Sequence, residues 1–533
     1  MSSKPFLKSK KKNKIYYNFF YIFSLLYVSY CIINLGPAWD SFFYINLGKD
    51  RLDYLLSLGL NKVDFNYWEQ WFAGIYITIV AFILKIFPSQ FELEVFYGIN
   101  FIFSILTTIG VYKLIKFLFN QQIGFITAVI FLYYSIFFGH ALINDRDSIT
   151  VFCNIWITYY VLKYFQFNLS KNKKYIIYIS LLLAIGTGIR FHFIATLIPL
   201  TMLIIYYFYN LTKKNKIIFL YDFFKIILLS TFIILIFWVP AHENLLTKPQ
   251  EIIKVLLERV FGWPAILING KIYESNNYPI TYIFENLFFK SPEYIIFLYS
   301  LFIVLFFPLR KFFNKNMVNF DIKLTFLLIN ILFPTFLLFI FDVRVYDGLR
   351  LFLYILPYFL TIPGIIFYYL IVKANNFYYK LLLSVSVILS FYYLINFFLI
   401  TPYHYTYLNI FAGRFSDAHN KFENDYWGIS LKELSKKISN HEDLISKKFI
   451  KFSVCGVSKK MTKYNLNKYA PKIDYKIVRK DENPDYVILT NRLTKISDNH
   501  ENKYSTCFNY HKGDNILQVE RKNLALSVVK KHK

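Results

Sequence analysis

Charge is scarce in this chain. Of 533 residues only 17% are charged, while 56% are hydrophobic and 21% aromatic, and mean hydropathy is +0.39. Soluble chains usually carry about a quarter charged residues. One soluble core could not bury so much apolar surface, and the same numbers exclude disorder. Cysteine is rarer still. Cys31, Cys153, Cys455 and Cys507 form no C-x-x-C pair, which leaves a zinc or redox motif unsupported. Cys31 and Cys153 fall in apolar runs and read as core. Cys455 and Cys507 lie in the polar C-terminal part and could pair in an oxidising compartment. Phosphate loop, dinucleotide fingerprint, zinc-protease helix and nucleophile elbow are all missing. So is any repeat of about 20–50 residues.

What is present is a series of apolar runs, most of them roughly 17 to 25 residues long, enough to cross about 30 Å of hydrocarbon as helix. They cover roughly 15–35, 71–87, 94–112, 122–139, 149–166, 175–189, 191–209, 217–239, 292–308, 323–341, 351–372 and 380–400. The N-terminal KSKKKNK cluster (8–14) precedes the first run with no small-residue cleavage site after it, so this run reads as an uncleaved span with its basic end in the cytoplasm. The net charge of +27 fits lysine-rich cytoplasmic loops better than nucleic-acid binding, for which no module is present.

Setting 71–87 aside as a juxtamembrane or re-entrant helix puts the lysine-rich connections on the side of the N-terminal cluster, as the positive-inside rule requires. The expected architecture is an α-helical polytopic membrane protein of about eleven spans. A transmembrane domain covers 1–400, with an external loop at 36–70. A small extracytoplasmic α/β domain covers 401–533, with strands at 449–456, 485–491 and 515–521 and helical signal at 429–438. The segments 140–148, 240–291 and 342–350 also fall outside. So does the break GTGIRFHF (186–193), where Gly186 and Gly188 are expected to allow a tight turn.

Arginine is in short supply, 11 residues against 49 lysines, so its placement is informative. Arg51, Arg146, Arg190, Arg259, Arg344 and Arg350 map to the outer boundary. Arg310 maps to a cytoplasmic loop, and Arg414, Arg479, Arg492 and Arg521 to the C-terminal part. A guanidinium grips phosphate oxygens in two-point fashion where an ammonium cannot. Asp40 follows the first span and Asp147 opens a later one, both on the outer side. Acids and arginines gathered there point to an anionic substrate at the membrane surface. Each feature also has a plainer reading: Asp147 or Ser148 as a helix cap, Asp40 as a loop acid, Arg344–Asp347 as a loop brace. His140 and His192 could serve as acid/base groups, but each alone reads as structural.

These residues resemble the GT-C membrane glycosyltransferases, and within them the protein O-mannosyltransferases, the aminoarabinose-to-lipid A transferases and the bacterial RgtA/B/C/D-like group. Four stretches carry the likeness: GHALINDRDSI (139–149), VYDGLRLFLYILP (345–357), PYHYTYLNIFAG (402–413) and ENDYWGIS (423–430). Members usually have two adjacent acids in the first loop, where this chain has Asp40 followed by Ser41. The resemblance implies inverting transfer of a hexosyl or pentosyl group from a polyprenyl-phosphate donor, on the outer face of a bacterial inner membrane. The acceptor would be a lipid, glycan or protein. Asp40 would be the base and Asp147 its catalytic partner. Asp145, Arg146, Arg190, His192, Arg344, Asp347 and Arg350 would bind substrate, with Arg190 and Arg350 on the leaving phosphate. No metal ligands are assigned, and a divalent metal is left open. The alternatives are a flippase of lipid-linked saccharides, or a non-catalytic glycan-binding protein on the same fold. The flippase reading finds few mid-span charges to serve as relays.

Overall fold

The computed structural model describes residues 10–65, 69–166, 173–244, 247–248, 250–251, 254, 262–341, 343–413, 417–496 and 503–532. Arg259 and Arg414 lie outside the described residues. The chain begins with helices α1 (Lys10–Asn34), α2 (Ser41–Leu56), α3 (Ile75–Leu84), α4 (Glu92–Leu118), α5 (Gln121–Leu132), α6 (Ser135–Ile143), α7 (Asp147–Gln166), α8 (Lys173–Ile189), α9 (Ile198–Tyr209) and α10 (Lys213–Phe237). After a hairpin, β1 (Ala265–Ile268) with β2 (Lys271–Glu274), helices resume over Tyr282–Lys290, Glu293–Val304, Phe306–Asn316, Phe320–Ile340, Leu356–Lys373 and Phe377–Leu399.

Long apolar helices with lipid-facing side chains identify a membrane bundle. On α10, Ile217, Phe224 and Phe232 are exposed, as befits a helix whose surrounding solvent is hydrocarbon. Among the described residues six helices are long and apolar enough to cross, or up to eight if each of two bent pairs is one span; eleven crossings were expected. The difference has a structural origin. The run at 122–139 is α5 and α6, which meet at a 64° bend. The run near 292–308 begins after a 118° bend at Ser291-Pro292, where proline cannot continue the preceding helix's hydrogen bonds. Helix α8 has 17 residues. Helix α3, inside the 71–87 segment, has ten and reaches only about half the hydrocarbon thickness.

The expected glycine turn at 186–193 is not formed. Gly186 and Gly188 sit inside α8, and the chain turns only at Arg190. These glycines serve close packing instead. A Cβ on Gly186 would fall 2.4 Å from the Phe193 ring, and one on Gly188 would fall 2.9 Å from Ile75.

The C-terminal part folds as an α/β layer. Its sheet has the order β4 (Tyr475–Ile477), β3 (Ile450–Cys455), β5 (Tyr486–Thr490), β9 (Leu524–Lys531), β8 (Asn515–Arg521). β3 runs parallel to both β4 and β5, while β9 is antiparallel to β5 and β8. Helices Leu431–Ser439 and Lys459–Tyr469 accompany it, and a short pair, β6 (Leu493–Lys495) with β7 (Tyr504–Thr506), lies beside it. Strands at 449–456, 485–491 and 515–521 are where the alternation placed them. β9 was not among the expected strands. Cys455 and Cys507 are disulfide-bonded, closing 52 residues of sequence over the buried patch of Val487, Leu489 and Val528. Cys31 and Cys153 are free and buried.

One apolar core runs through bundle and C-terminal part alike, from Val28 and Phe137 to Tyr405, Trp427 and Ile488. A close seam in it joins two of the four quoted stretches. Gly139 in α6 lies against Tyr405, and a Cβ there would stand 2.3 Å from the Tyr405 backbone nitrogen. Backbone cannot swing aside as a flexible side chain can. Gly139→Ala should therefore cost about 1–3 kcal/mol of stability by overpacking, read as a lowered melting temperature in detergent. Cys455→Ala/Cys507→Ala should lose about 2–4 kcal/mol, the size for a loop of this length. In the native protein a maleimide reagent should reach these two thiols only after reduction.

Candidate functional site

Three backbone devices bring charge to one place. The segment 36–39 runs beside 427–429: the Gly36 N–H donates to Ile429 O (3.1 Å) and the Trp39 N–H to Trp427 O (3.1 Å). A Cβ on Gly36 would lie 2.6 Å from Ile429 O, so glycine permits the approach. This strap delivers Asp40 to the start of α2. The second device is the Asn144 side chain, whose Oδ1 accepts the N–H groups of Arg146 (3.2 Å) and Asp147 (2.9 Å), turning the chain into α7. The third is the Asp347-Gly348 turn, with φ of 57° and 62°, a left-handed conformation that Asp tolerates and Gly favours. It folds Arg350 back onto Asp347.

Arg350 is the hub. Its Nε donates to Asp147 Oδ2 (3.0 Å), its Nη1 to Asp347 Oδ2 (2.9 Å), and its Nη2 lies 3.5 Å from Asp40 Oδ2. One guanidinium thus touches three carboxylates, and its plane lies 4.2 Å from the Trp427 ring. Arg146 Nη2 reaches Asp40 Oδ2 at 3.4 Å and its guanidinium stacks on Tyr44. Arg190 Nη2 stands 2.8 Å from Asp147 Oδ1. Arg492 Nη2 donates to Asp347 Oδ1 at 3.0 Å.

The two acids differ in access. The Asp40 side chain is 26% exposed and held only by the two long contacts, whereas that of Asp147 is 6% exposed and gripped by Arg190, Arg350 and Asn144. Donors are left over. Among the described residues Arg146 Nε and Arg190 Nε are buried without a hydrogen bond, while Arg190 Nη2 is spent on the ion pair with Asp147. Arg190 lines a cavity of about 340 Å³ together with Asp147, His192 and Arg344; the lining is otherwise largely apolar, with Leu337, Leu338 and Leu351. An apolar chamber with guanidinium groups at one end suits an amphiphile with an anionic head.

Nearly all the expected set is therefore brought together: Asp40, Asp145, Arg146, Asp147, Arg190, Asp347 and Arg350 form one cluster, and His192 and Arg344 face the adjoining cavity. Arg51 does not join them. It is fully buried and braces the backbone at 69–73 by donating to Ala73 O (2.8 Å) and Glu69 O (2.6 Å). Ser41, in place of the second first-loop acid, accepts the Ala38 N–H (3.1 Å) and meets the Tyr97 hydroxyl. His140 is sealed between Asn144 and the Tyr426 hydroxyl (2.9 Å). Three participants were not placed at the site by sequence reasoning: Tyr426 and Trp427, although they lie in the quoted stretch 423–430, and Arg492. The scarcity of arginine flags Arg492, but nothing in the sequence shows that the C-terminal part reaches the outer acids. Among the described residues no group of three His, Cys, Asp or Glu stands at metal-holding spacing. The carboxylates here face guanidinium groups.

Residues 75–239 match the family model described as dolichyl-phosphate-mannose-protein mannosyltransferase. No curated protein matches at the level required of a relative. Among solved structures, the crystal structure of ArnT from Cupriavidus metallidurans in the apo state is similar over 98% of each chain, with 8% identity and a TM-score of 0.51. The same protein bound to undecaprenyl phosphate gives 9% identity and a TM-score of 0.48, over 96% of this chain and 98% of that one. The Archaeoglobus fulgidus oligosaccharyltransferase in the apo form is 12% identical over 86% of this chain and 66% of that one, with a TM-score of 0.44. The expected resemblance thus holds at the level of fold: the chain has the architecture of a GT-C membrane glycosyltransferase.

Asp145, in the link between α6 and α7, is buried, and its Oδ2 has no partner among the described residues. Burial pushes its carboxyl up to about 7 despite Arg146 beside it, and the like charge of Asp40 adds to the rise. A raised folded-state value means the native state holds a proton that the unfolded chain has lost above about pH 4. Stability from this group is full below that point and falls as pH rises towards 7. Glu423, also raised to about 7 by burial, acts in the same direction. Asp145→Asn should flatten the decline between about pH 4 and 7 and raise the melting temperature above pH 7 relative to wild type.

Proposed function

We propose that this protein transfers a sugar from a polyprenyl-phosphate donor to an acceptor hydroxyl at the outer face of a bacterial cytoplasmic membrane, with inversion at the anomeric carbon. The observation that carries this reading is the single guanidinium of Arg350 joining Asp40 to Asp147, beside an apolar cavity rimmed by Arg190. A lipid-linked donor suits such a site. Its tail partitions into hydrocarbon or an apolar groove, and its phosphate stays at the boundary.

Each residue then has a role set by its surroundings. Asp40, the more accessible acid, takes the proton from the acceptor hydroxyl. The resulting oxygen attacks the anomeric carbon while the bond from that carbon to the phosphate oxygen breaks. The electron pair of that bond stays on the phosphate. Arg190 and Arg350 stabilise the developing charge, a task worth roughly 3–4 kcal/mol per well-placed donor. Asp147 keeps both arginines aimed and acts as a positioning group more than as a second base. Asp145 and Arg146 border Asp40, while His192 and Arg344 line the apolar cavity. The Cys455–Cys507 disulfide supports an extracytoplasmic C-terminal part, since such bonds persist where the compartment oxidises, and the basic cluster at 8–14 supports a cytoplasmic N-terminus. The sugar and the acceptor are not specified by these contacts.

The test is transfer from radiolabelled polyprenyl-phosphate sugars in membranes of a strain lacking the chromosomal copy, with the deletion strain's glycan profile supplying sugar and acceptor. Asp40→Asn should lower turnover at least about 100-fold, the usual contribution of a positioned base, with the protein still folded. Arg350→Lys keeps the charge but loses the fork, and should lower donor use about tenfold or more. Unchanged transfer by Asp40→Asn would remove it from the mechanism.

A further inference from the structure

The C-terminal part reaches into the charged cluster through Arg492, 145 residues from its partner Asp347 in sequence. Arg492 is 5% exposed and firmly seated. Its guanidinium lies 3.8 Å from the Trp263 ring and 5.4 Å from the Trp39 ring, and it also donates to the Tyr426 carbonyl. Asp347 is 3% exposed and divides its two oxygens between two arginines: Oδ1 to Arg492, Oδ2 to Arg350. Asp347 is therefore a competitor for Arg350, the same group that must serve Asp40, Asp147 and an incoming phosphate. A buried carboxylate with one cation draws that cation fully, whereas one with two leaves each partly free.

We infer that Arg492 is a positioning residue that satisfies half of Asp347, and so leaves Arg350 available to bind the donor's phosphate. The C-terminal part is in this sense a component of the phosphate site. The neighbouring residues Tyr426 and Trp427 fit the same role: Trp427 lies against the Arg350 guanidinium and pairs its carbonyl with the strap that carries Asp40. This inference rests on the proposed phosphate-linked donor.

The experiment uses full-length protein in nanodiscs, with undecaprenyl phosphate as the probe and its Kd as the readout. Arg492→Met should weaken binding about tenfold, as loss of one charge-assisted contact would. Asp347→Asn in the Arg492→Met background removes the competing charge and should restore binding to within about threefold of wild type. Arg492→Lys keeps a cation on Asp347 and should weaken binding by no more than about threefold; it also carries the test if the methionine variant does not fold. Arg521→Met, which breaks an ion pair with Glu433 elsewhere in the C-terminal part, should leave Kd unchanged. A merely structural role for Arg492 predicts that the double variant stays as weak as the single one, or that the lysine variant falls tenfold; either outcome overturns the inference, as does wild-type affinity in Arg492→Met. If the wild-type protein itself does not bind undecaprenyl phosphate, the lipid-phosphate reading fails, and this inference with it.

Discussion

A buried guanidinium shared by three carboxylates is the constraint on which the rest of the architecture depends. Removing so many charges from water is costly unless each finds a close opposite. Here the three acids come from three distant parts of the chain, at positions 40, 147 and 347, and the two that are buried, Asp147 and Asp347, could not be buried alone. Arg350 makes their burial tolerable, and their burial fixes Arg350 in turn. The site is assembled by charge neutralisation as much as by apolar packing. A hub of this kind also holds its geometry before substrate arrives, which is what electrostatic stabilisation of a developing charge requires.

That constraint explains why bundle and C-terminal part share one core. Asp40 arrives on a strap paired with 427–429, Arg350 lies against Trp427, and Asp347 is completed by Arg492. Asp425 secures the strap's far end by accepting the N–H groups of Ile429 and Ser430, and it also meets the Tyr405 hydroxyl. Tyr405 in turn packs on Gly139, at the head of the stretch that supplies Asp147. The four sequence stretches that carry the family likeness are thus neighbours in space. Their residue types follow from contacts with one another as well as from any contact with substrate.

The membrane class, the C-terminal α/β layer and most of the charged cluster could be read from the chain, each for a physical reason. Apolar runs of spanning length have few other fates. Arginine in a lysine-rich chain marks places where the fork matters, and Arg146, Arg190 and Arg350 do converge. The same signal misleads at Arg51, because a guanidinium serves backbone carbonyls as readily as carboxylates, and exposure cannot be told from burial by position along a span. Gly186 and Gly188 mislead similarly: glycine permits a turn and permits close packing, and only the neighbours Phe193 and Ile75 decide between them. The span count suffers because hydropathy registers length and composition but not bends. The link between Asp347 and Arg492 is invisible for a simpler reason: it joins residues whose local patterns carry no trace of each other.

What remains is why two acids at one site would divide their work. Identical carboxyl groups acquire different roles when their surroundings differ. Asp147 meets two guanidinium groups and an amide in a nearly closed setting, so its charge is already spent on holding cations in place. Asp40 keeps a quarter of its surface open and has only long contacts, so it can accept a proton from a group entering from outside. The arginines divide in a similar way: Arg350 is shared among three carboxylates, whereas Arg190 keeps a buried Nε that none of the described residues accepts from. An anion entering the cavity would meet that spare donor first and could then share Arg350, with Asp40 on the side where the proposed acceptor hydroxyl would arrive. That ordering makes the access of Asp40 and the spare Nε of Arg190 two parts of a single arrangement, with Asp147 as the fixed point between them.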